Sequence, residues 1–107
     1  METRARRVFT VSEVNSQVHD LLEASLPELW VEGEVSNCKT YPSGHTYLSL
    51  KDEKSQVRAV LFKGASFSLK FKLQDGLKVL ARGRITSYES RGELQLILST
   101  VEPREKG

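Results

Sequence analysis

Aromatic and basic side chains alternate through the middle of this chain, in a region that otherwise shows the apolar-polar alternation of β-strands. They are Lys39, Tyr41, His45, Tyr47, Lys51, Arg58 and Phe62. Flat aromatic rings stack on unpaired nucleobases, and ammonium and guanidinium groups bind phosphates. These residue types in this order therefore favour a surface for a single-stranded nucleic acid. The simpler alternative is that Tyr47 and Phe62 pack under a helix while the cations only solvate a sheet.

The side chains needed for catalysis do not come together in the sequence. Three aspartates, Asp20, Asp52 and Asp75, fall on a predicted helix and two separate turns, so they predict no carboxylate pair. The two histidines suggest no catalytic triad, His19 is expected to be structural, and no phosphate-binding glycine-rich loop is present. Cys38, the single cysteine, excludes an internal disulfide and is expected to be a half-buried filler. We expect no metal, no cofactor and no catalytic residue, so this chain should bind and not cut.

Charge is distributed unevenly along the 107 residues, although the net charge is only +2. Residues 1–37 hold three basic and seven acidic side chains, and residues 58–92 hold eight basic and two acidic ones. A local positive field attracts polyanions even on a nearly neutral chain, and the alternative is a solvated lysine-rich surface. The length suits one domain, and no apolar run reaches the ~20 residues of a membrane helix. Without a signal-peptide pattern after Met1, the expected location is the cytoplasm.

An amphipathic helix is predicted over residues 10–25. Thr10 and Glu13 have the spacing of a capping box, and Pro27 disfavours helix beyond residue 25. Apolar residues recur at helical spacing at Val14, Val18, Leu21 and Leu22. This stripe requires a partner surface, either the following sheet or another domain. Residues 25–28 form a short hinge, so exchange of the helix with a second copy, giving a homodimer, is a further alternative.

Alternating apolar and polar residues predict five strands after the helix. The strands span residues 29–36, 45–51, 56–62, 78–88 and 93–101. Between the third and fourth strands, Phe67 and Phe71 fit a helix as well as a strand, so residues 64–76 receive no assignment.

Five strands, with Gly33 and Gly83 in the middle of two of them, match the partly open Greek-key barrel of the OB-fold. We therefore predict a mainly β fold, a five-stranded OB-fold barrel preceded by the helix. OB-folds bind oligonucleotides on strands two and three and on the loops joining strands one to two and four to five. The second loop and strand four add four residues to the predicted site: Tyr88, Arg91, Arg82 and Arg84.

The domain organisation follows from these elements. Residues 1–9 are expected to be extended or disordered, residues 10–102 to form the OB-fold domain, and residues 103–107 to begin a linker to a further region. Trp30 at the start of the first strand is expected to pack on the helix, and the alternative is that it stacks on a base.

The chain resembles a known family through several motifs. They are FTVSEVN at residues 9–15, WVEGEVSN at 30–37, SGH at 43–45 with Tyr47, LKD at 50–52, and QVR at 56–58 with Phe62. Together these motifs are similar to the N-terminal OB domain of the exodeoxyribonuclease VII large subunit, over nearly the whole chain. Each motif alone is weak, but the combination of WVEGEVSN with SGH-x-Y-x-x-LKD is specific. Leu48 stands where family members often have phenylalanine, and it is predicted to be a core position.

The resemblance implies a function that the residue pattern alone does not. Members of this family combine one type of large subunit with several copies of a small helical subunit, and they degrade single-stranded DNA from either end into short oligonucleotides. Their catalytic region lies downstream of the N-terminal domain, so the resemblance implies no catalytic residue in this chain. The domain is expected to capture single-stranded DNA for that region. Two rival hypotheses are an anticodon-binding OB domain of an aminoacyl-tRNA synthetase and a scaffold domain that docks a partner protein.

Overall fold

The computed structural model describes residues 6–104. Residues 1–5 of the predicted N-terminal segment and residues 105–107 of the predicted linker lie outside the described residues. In chain order the elements are α1 (Val11–Ser25), β1 (Leu29–Thr40), β2 (Thr46–Lys51), β3 (Gln56–Leu61), α2 (Lys63–Phe67), β4 (Lys78–Tyr88) and β5 (Glu93–Pro103). The predicted helix and all five predicted strands are present, and β4 has the predicted bounds. β1 extends four residues and β5 two residues beyond the predicted ends.

The five strands close into a barrel in the order β1-β2-β3-β5-β4. The pairs β1–β2, β1–β4, β2–β3 and β4–β5 are antiparallel, whereas β3 and β5 pair in parallel. A five-stranded Greek-key barrel of this kind is the OB-fold, so the predicted fold class is confirmed.

β1 belongs to both halves of the barrel. Its first half pairs with β4 and its second half with β2, and the β1–β2 register shifts between Ser36 and Lys39. Asn37 lies within this bulge at a φ of 51°, a left-handed conformation that asparagine tolerates better than most residues. The bulge lets β1 leave β4 and continue as one side of the β1–β2 hairpin.

Inward-pointing side chains of the strands form the core. The buried apolar residues of this core cluster are Val35, Leu48, Leu50, Ala59, Leu61, Val79, Ala81, Leu96, Leu98 and Val101. They occupy alternate positions along the strands, as expected for a sheet with one buried face, except that Val101 follows Leu98 by three residues at the β4–β5 register shift. Leu48 is among them, as predicted from its place in the alternation.

Gly83 is required where β4 and β5 approach most closely. The β4–β5 register shifts between Arg82 and Gly83, and a Cβ atom built on Gly83 would overlap the carbonyl oxygen of Ile97. Gly33 is less constrained, since its Cβ would lie 3.3 Å from Cβ of Leu50. The mid-strand glycines therefore allow close strand approach, and Gly83 does so at the bulge.

The capping box predicted at the start of α1 is present. The Thr10 hydroxyl accepts the backbone N–H of Glu13 at 3.0 Å, and the Glu13 carboxylate accepts the backbone N–H of Thr10 at 2.8 Å. These two bonds satisfy backbone donors that a helix start leaves without partners. The helix ends at Ser25, before Pro27, as predicted.

α1 packs on β4 of its own chain, but through polar side chains. Asn15 Nδ2 donates to the carbonyl of Glu89 at 3.0 Å, and His19 Nδ1 lies 3.0 Å from the carbonyl of Ser87. The apolar stripe stays largely exposed, at 47% for Val14, 42% for Val18 and 64% for Leu21. Of the two partner surfaces expected for this stripe, the following sheet leaves Val14, Val18 and Leu21 exposed and Leu22 half-buried, because the outer face of β4 is polar and binds the polar side of α1. Exchange of the helix into a homodimer is not supported, since the helix is seated on its own barrel.

The segment without a predicted assignment closes one end of the barrel. Only residues 63–67 are helical, as α2, and the chain then runs without a strand to β4. Ala65, Leu69, Phe71 and Leu73 are partly buried against the core. The apolar alternation here therefore reflects plugging of the barrel, not a strand. Within residues 6–104, no helix is long and apolar enough to cross a membrane.

Candidate nucleic-acid interface

The outer face of β2 and β3 presents several of the predicted binding residues together. Tyr47 pairs with Lys39 on one side and Val60 on the other, and Arg58 pairs with Ser49. Paired residues on neighbouring strands point to the same face, so these side chains form one outer surface. Lys39 and Arg58 are exposed, Tyr47 is half-buried, and Val60 and Ser49 are buried. The face thus has Val60 and Ser49 buried at its base, with the Tyr47 ring and two cations around them.

The loop joining β1 and β2 carries aromatic and basic side chains in fixed positions. Its backbone is closed by the N–H of Tyr41 donating to the carbonyl of His45 at 2.9 Å, and Gly44 has a φ of 95°. The rings of Tyr41 and Tyr47 meet edge to face with centroids 5.5 Å apart. The ammonium of Lys39 lies 5.2 Å from the centroid of the Tyr41 ring. Each ring is therefore oriented by a neighbour before any ligand binds.

His45 and Phe62 extend this arrangement toward α2. Their rings also meet edge to face, with centroids 5.3 Å apart. Nδ1 of His45 accepts the backbone N–H of Lys63 at 2.9 Å, so in the neutral ring Nε2 carries the hydrogen and remains a donor. We call Tyr41, His45, Tyr47 and Phe62 the aromatic cluster. Lys63 was not among the predicted site residues, because only the folded loop brings it to His45.

The loop joining β4 and β5 lies at the other end of β3. β5 begins beside the start of β3, with Gln95 opposite Arg58, whereas the β1–β2 loop ends at Thr46, opposite Leu61. In this loop the guanidinium carbon of Arg91 lies 5.9 Å from the centroid of the exposed Tyr88 ring. Tyr88 and Arg91 are thus placed together, and the β2–β3 face lies between the two loops.

Arg82 and Arg84 are held by carboxylates on the outer face of β4. Nε of Arg82 lies 2.8 Å from Oε1 of Glu28, and Nη1 of Arg84 lies 3.2 Å from Oε2 of Glu23. The Thr86 hydroxyl donates to the same Glu23 oxygen at 2.7 Å. This hydrogen bond and the charge of Arg84 lower the pKa of Glu23 below its ordinary value. The structure therefore separates these two arginines from the β2–β3 face and neutralises them.

Lys51 stands in an acidic environment at its end of β2. Its strand partner is Glu34, and the groove beside it is also lined by three further acidic residues, Glu32, Asp52 and Glu53, and by one further cation, Lys78. Asp52 accepts the backbone N–H groups of Lys54 and Ser55, each at 2.9 Å, and these bonds lower the pKa of Asp52. Negative charge around Lys51 therefore opposes a phosphate there.

The remaining cations of the interface have no such partners. Among residues 6–104, no carboxylate forms an ion pair with Lys39, Arg58, Lys63 or Arg91. Lys39 and Lys63 lie near the β1–β2 loop, Arg58 on the β2–β3 face and Arg91 in the β4–β5 loop. This face and its two flanking loops therefore carry positive charge that a polyanion can meet without displacing a carboxylate among residues 6–104.

Cys38 lies behind the interface, with no geometry for catalysis. Its thiol is 3.7 Å from the carbonyl of Leu73, and burial, followed by the charge of Asp75, raises the pKa of the thiol. Within residues 6–104, no three metal-ligating side chains come together.

Comparison with known sequences agrees with this geometry. Residues 9–102 match the family described as "OB-fold nucleic acid binding domain". The chain belongs to this family. It is also 46% identical over 102 residues to the exodeoxyribonuclease 7 large subunit of Geobacter sulfurreducens, covering 95% of this chain and 23% of the relative. The corresponding protein of Koribacter versatilis is 48% identical over 102 residues, with 95% and 22% covered.

A third relative, the exodeoxyribonuclease 7 large subunit of Xanthomonas campestris, is 46% identical over 107 residues and matches 100% of this chain. The resemblance predicted from the motifs is confirmed. The chain spans about a quarter of the length of these relatives, 22% to 24% in the three cases.

Solved structures share the fold of this OB domain at low sequence identity. A replication protein A heterotrimer bound to ssDNA matches with a TM-score of 0.63 and 17% identity, covering 78% of this chain and 62% of that one. The Schizosaccharomyces pombe Stn1–Ten1 complex matches with a TM-score of 0.62 and 22% identity over 76% and 60% of the two chains. Asparaginyl-tRNA synthetase from Pyrococcus horikoshii matches with a TM-score of 0.62 and 18% identity over 86% and 22%. These likenesses bear on the fold alone.

The structure distributes the eleven predicted site residues of the OB domain among four places. Lys39, Tyr41, His45, Tyr47, Arg58 and Phe62 lie on the β2–β3 face or at the β1–β2 loop; Tyr88 and Arg91 lie in the β4–β5 loop; Lys51 lies beside the acidic groove; Arg82 and Arg84 lie against α1 and the residues after it. Trp30 is 54% exposed and pairs with Arg82 on the β1–β4 side of the barrel. It is therefore away from the aromatic cluster.

Proposed function

We propose that this domain binds single-stranded DNA along the outer face of β2 and β3, between the β1–β2 and β4–β5 loops. The observation that carries the proposal is the aromatic cluster, whose rings are oriented edge to face beside cations with no ion pair among residues 6–104. Rings held in this way lose little freedom when a base stacks on them. Stacking contributes ~1–3 kcal/mol per base, and neighbouring cations bind the phosphates.

A second part of the proposal concerns the longer protein that would contain this domain. The relatives are named as large subunits of exodeoxyribonuclease 7, and this chain corresponds to about a quarter of their length. We infer that the domain captures single-stranded DNA in the cytoplasm for an exonuclease whose catalytic residues lie outside these 107 residues. The small subunit of that enzyme would bind elsewhere on the large subunit. By itself the domain is proposed to need no cofactor and to leave DNA uncut.

Fluorescence anisotropy with a labelled single-stranded DNA of about 20 nucleotides tests the proposal. Matched duplex DNA and single-stranded RNA serve as competitors, and each titration is repeated at several salt concentrations. Single-stranded DNA should bind most tightly, and the logarithm of the association constant should fall linearly with the logarithm of salt concentration, by ~0.7 per phosphate contacted.

Other outcomes of this titration would contradict the proposal. A preference for RNA would favour the anticodon-binding alternative, which the shared fold with an asparaginyl-tRNA synthetase keeps relevant. Absence of binding to every nucleic acid would favour a scaffold domain that docks a protein.

A further inference from the structure

Phe67 is an exposed aromatic ring that the fold itself does not use. It is the last residue of α2 and is 69% exposed. The neighbouring apolar residues Ala65, Leu69 and Phe71 pack against the core, whereas Phe67 does not. A single exposed apolar residue is common in folded proteins, so the surroundings of Phe67 decide whether it has a role at the surface.

Three sets of contacts hold α2 against the β1–β2 loop and the start of β2. A Cβ built on Gly44 would lie 2.9 Å from Cγ of Lys63 and 3.4 Å from Cζ of Phe67, so both side chains lie directly on that loop. The Ser66 hydroxyl is 2.9 Å from the Thr46 hydroxyl at the start of β2. The backbone N–H of Lys63 donates to His45. Phe67 is therefore held next to the aromatic cluster on a supported element.

We propose that Phe67 and Lys63 form an additional nucleotide subsite at the α2 end of the DNA path. The open face of the Phe67 ring stacks on one base, and the ammonium of Lys63 contacts an adjacent phosphate. The path then runs from the β4–β5 loop across Arg58 and the aromatic cluster to α2. This inference rests on the proposed single-stranded DNA binding and names a ligand position that the β2–β3 face alone does not include.

The subsite predicts that the effect of Phe67 depends on the length of the DNA. Oligothymidylates of about 4 to 20 nucleotides span the usual site sizes of an OB-fold. The shortest ones that bind should occupy the main face, so Phe67→Ala should leave their affinity unchanged. Longer ones reach α2, and Phe67→Ala should weaken them about 5- to 100-fold, as expected for one stacked base.

Matched variants separate stacking from folding. Phe67→Leu keeps an apolar side chain without a stacking face and should lose affinity like Phe67→Ala, whereas Phe67→Trp should retain it. Lys63→Gln should lower the salt dependence for long DNA only. Trp30→Ala removes another exposed aromatic ring, on the β1–β4 side, and should leave affinity unchanged at every length. Thermal melting of each variant confirms that it is folded.

Photo-crosslinking gives a readout that a structural role would not produce. A 5-iodouracil is placed in turn at each position of a long oligonucleotide, and crosslinked peptides are identified by mass spectrometry. Crosslinks to Phe67 should come from one end of the oligonucleotide, and crosslinks to Tyr47 from its interior.

The results distinguish failure of the subsite from failure of the proposed function. If Tyr47→Ala weakens binding but Phe67→Ala and Phe67→Leu do not at any length, the subsite is wrong and the β2–β3 face stands. A loss that is equal at all lengths, or that Trp30→Ala reproduces, also overturns the subsite. If wild-type protein binds no single-stranded DNA, both proposals are wrong.

Discussion

At the β1–β2 loop the ammonium of Lys39 lies over the Tyr41 ring, whereas on the outer face of β4 the guanidinium groups of Arg82 and Arg84 are bound by carboxylates. In both regions, cations on a strand lie next to an exposed aromatic residue, which is Tyr41 beside Lys39 and Trp30 beside Arg82. A phosphate can approach Lys39 without displacing an anion among residues 6–104, but at Arg84 it must compete with Glu23. If the proposed function holds, the number of cations on a surface is therefore not enough to predict its affinity for DNA, because the partner of each cation also matters.

The two regions also differ in how their aromatic rings are supported. Tyr41, His45, Tyr47 and Phe62 contact one another in edge-to-face pairs, and Trp30 on the opposite side has no aromatic partner among residues 6–104. Orientation before binding reduces the entropy that a bound base must overcome. In the proposed function, the rings near the β1–β2 loop are therefore oriented for bases before DNA binds, and Trp30 is not.

Of the substitutions considered in the two regions, Tyr47→Ala should cause the largest loss of affinity for single-stranded DNA. It removes one stacking face and the edge-to-face partner of Tyr41, so the affinity for single-stranded DNA should fall about 5- to 100-fold, given ~1–3 kcal/mol per stacked base. Tyr47→Phe keeps the ring and serves as the control. Anisotropy titration measures both, and an unchanged affinity for Tyr47→Ala would remove the β2–β3 face from the proposal.

Gly44→Ala should separate the β1–β2 loop from α2. The substitution introduces a side chain at a φ of 95° and pushes it against Lys63. We expect a loss of about 1–3 kcal/mol in the free energy of unfolding, from strain and overpacking together, and about a tenfold loss in DNA affinity. Gly76→Ala is the matched control, because Gly76 has a φ of 89° with no atom within 4 Å of the added Cβ.

Urea unfolding and anisotropy together separate the two effects of Gly44→Ala. Gly76→Ala should show the strain cost with unchanged DNA affinity. Equal DNA affinity for both variants would mean that the contact between the loop and α2 does not position the interface.

Arg58→Ala and Arg84→Ala compare one cation from each region. Arg58 has no ion pair among residues 6–104, so its removal should weaken binding about 3- to 10-fold and reduce the salt slope by ~0.7. Arg84→Ala should change affinity less than about twofold and leave the slope unchanged, because Glu23 already neutralises it. The opposite ranking in salt-dependent titrations would place the DNA along β4.

Glu23→Gln should have the smallest effect on binding and sharpens the comparison. Without the carboxylate, Arg84 becomes available, so DNA affinity should rise slightly and the salt slope should increase by up to ~0.7. If binding is unchanged and Arg84→Ala is also silent, β4 lies outside the DNA path altogether.

Glu23→Gln should also change how the free energy of unfolding depends on pH. Because the pKa of Glu23 is lower in the folded state, its ionisation stabilises the fold above the ordinary glutamate pKa of 4.5, and this contribution is lost as pH falls below that value. Urea unfolding between about pH 6 and pH 3 should therefore show a smaller decrease for Glu23→Gln than for the wild type.

Local signals in the chain were sufficient for much of this fold. The Thr10–Glu13 capping box, the helix end before Pro27 and the bounds of β4 were predicted because each depends on residues close together in sequence. The motif WVEGEVSN includes Asn37, whose left-handed backbone is a local property of the bulge. The aromatic and basic residues of the β2–β3 face were likewise predicted, since alternation places them on one side of two adjacent strands.

Only the tertiary structure decided which of the candidate residues are available. Glu23 and Arg84 are 61 positions apart, and Gly44 and Phe67 are far apart in sequence, yet each pair is in contact in the folded chain. The apolar stripe of α1 predicted docking, but the polar outer face of β4 selected Asn15, His19 and Glu23 instead. Local pattern predicts which face a side chain occupies. Long-range packing determines which charge or ring stands opposite it, and that partner decides whether the side chain is free to bind DNA.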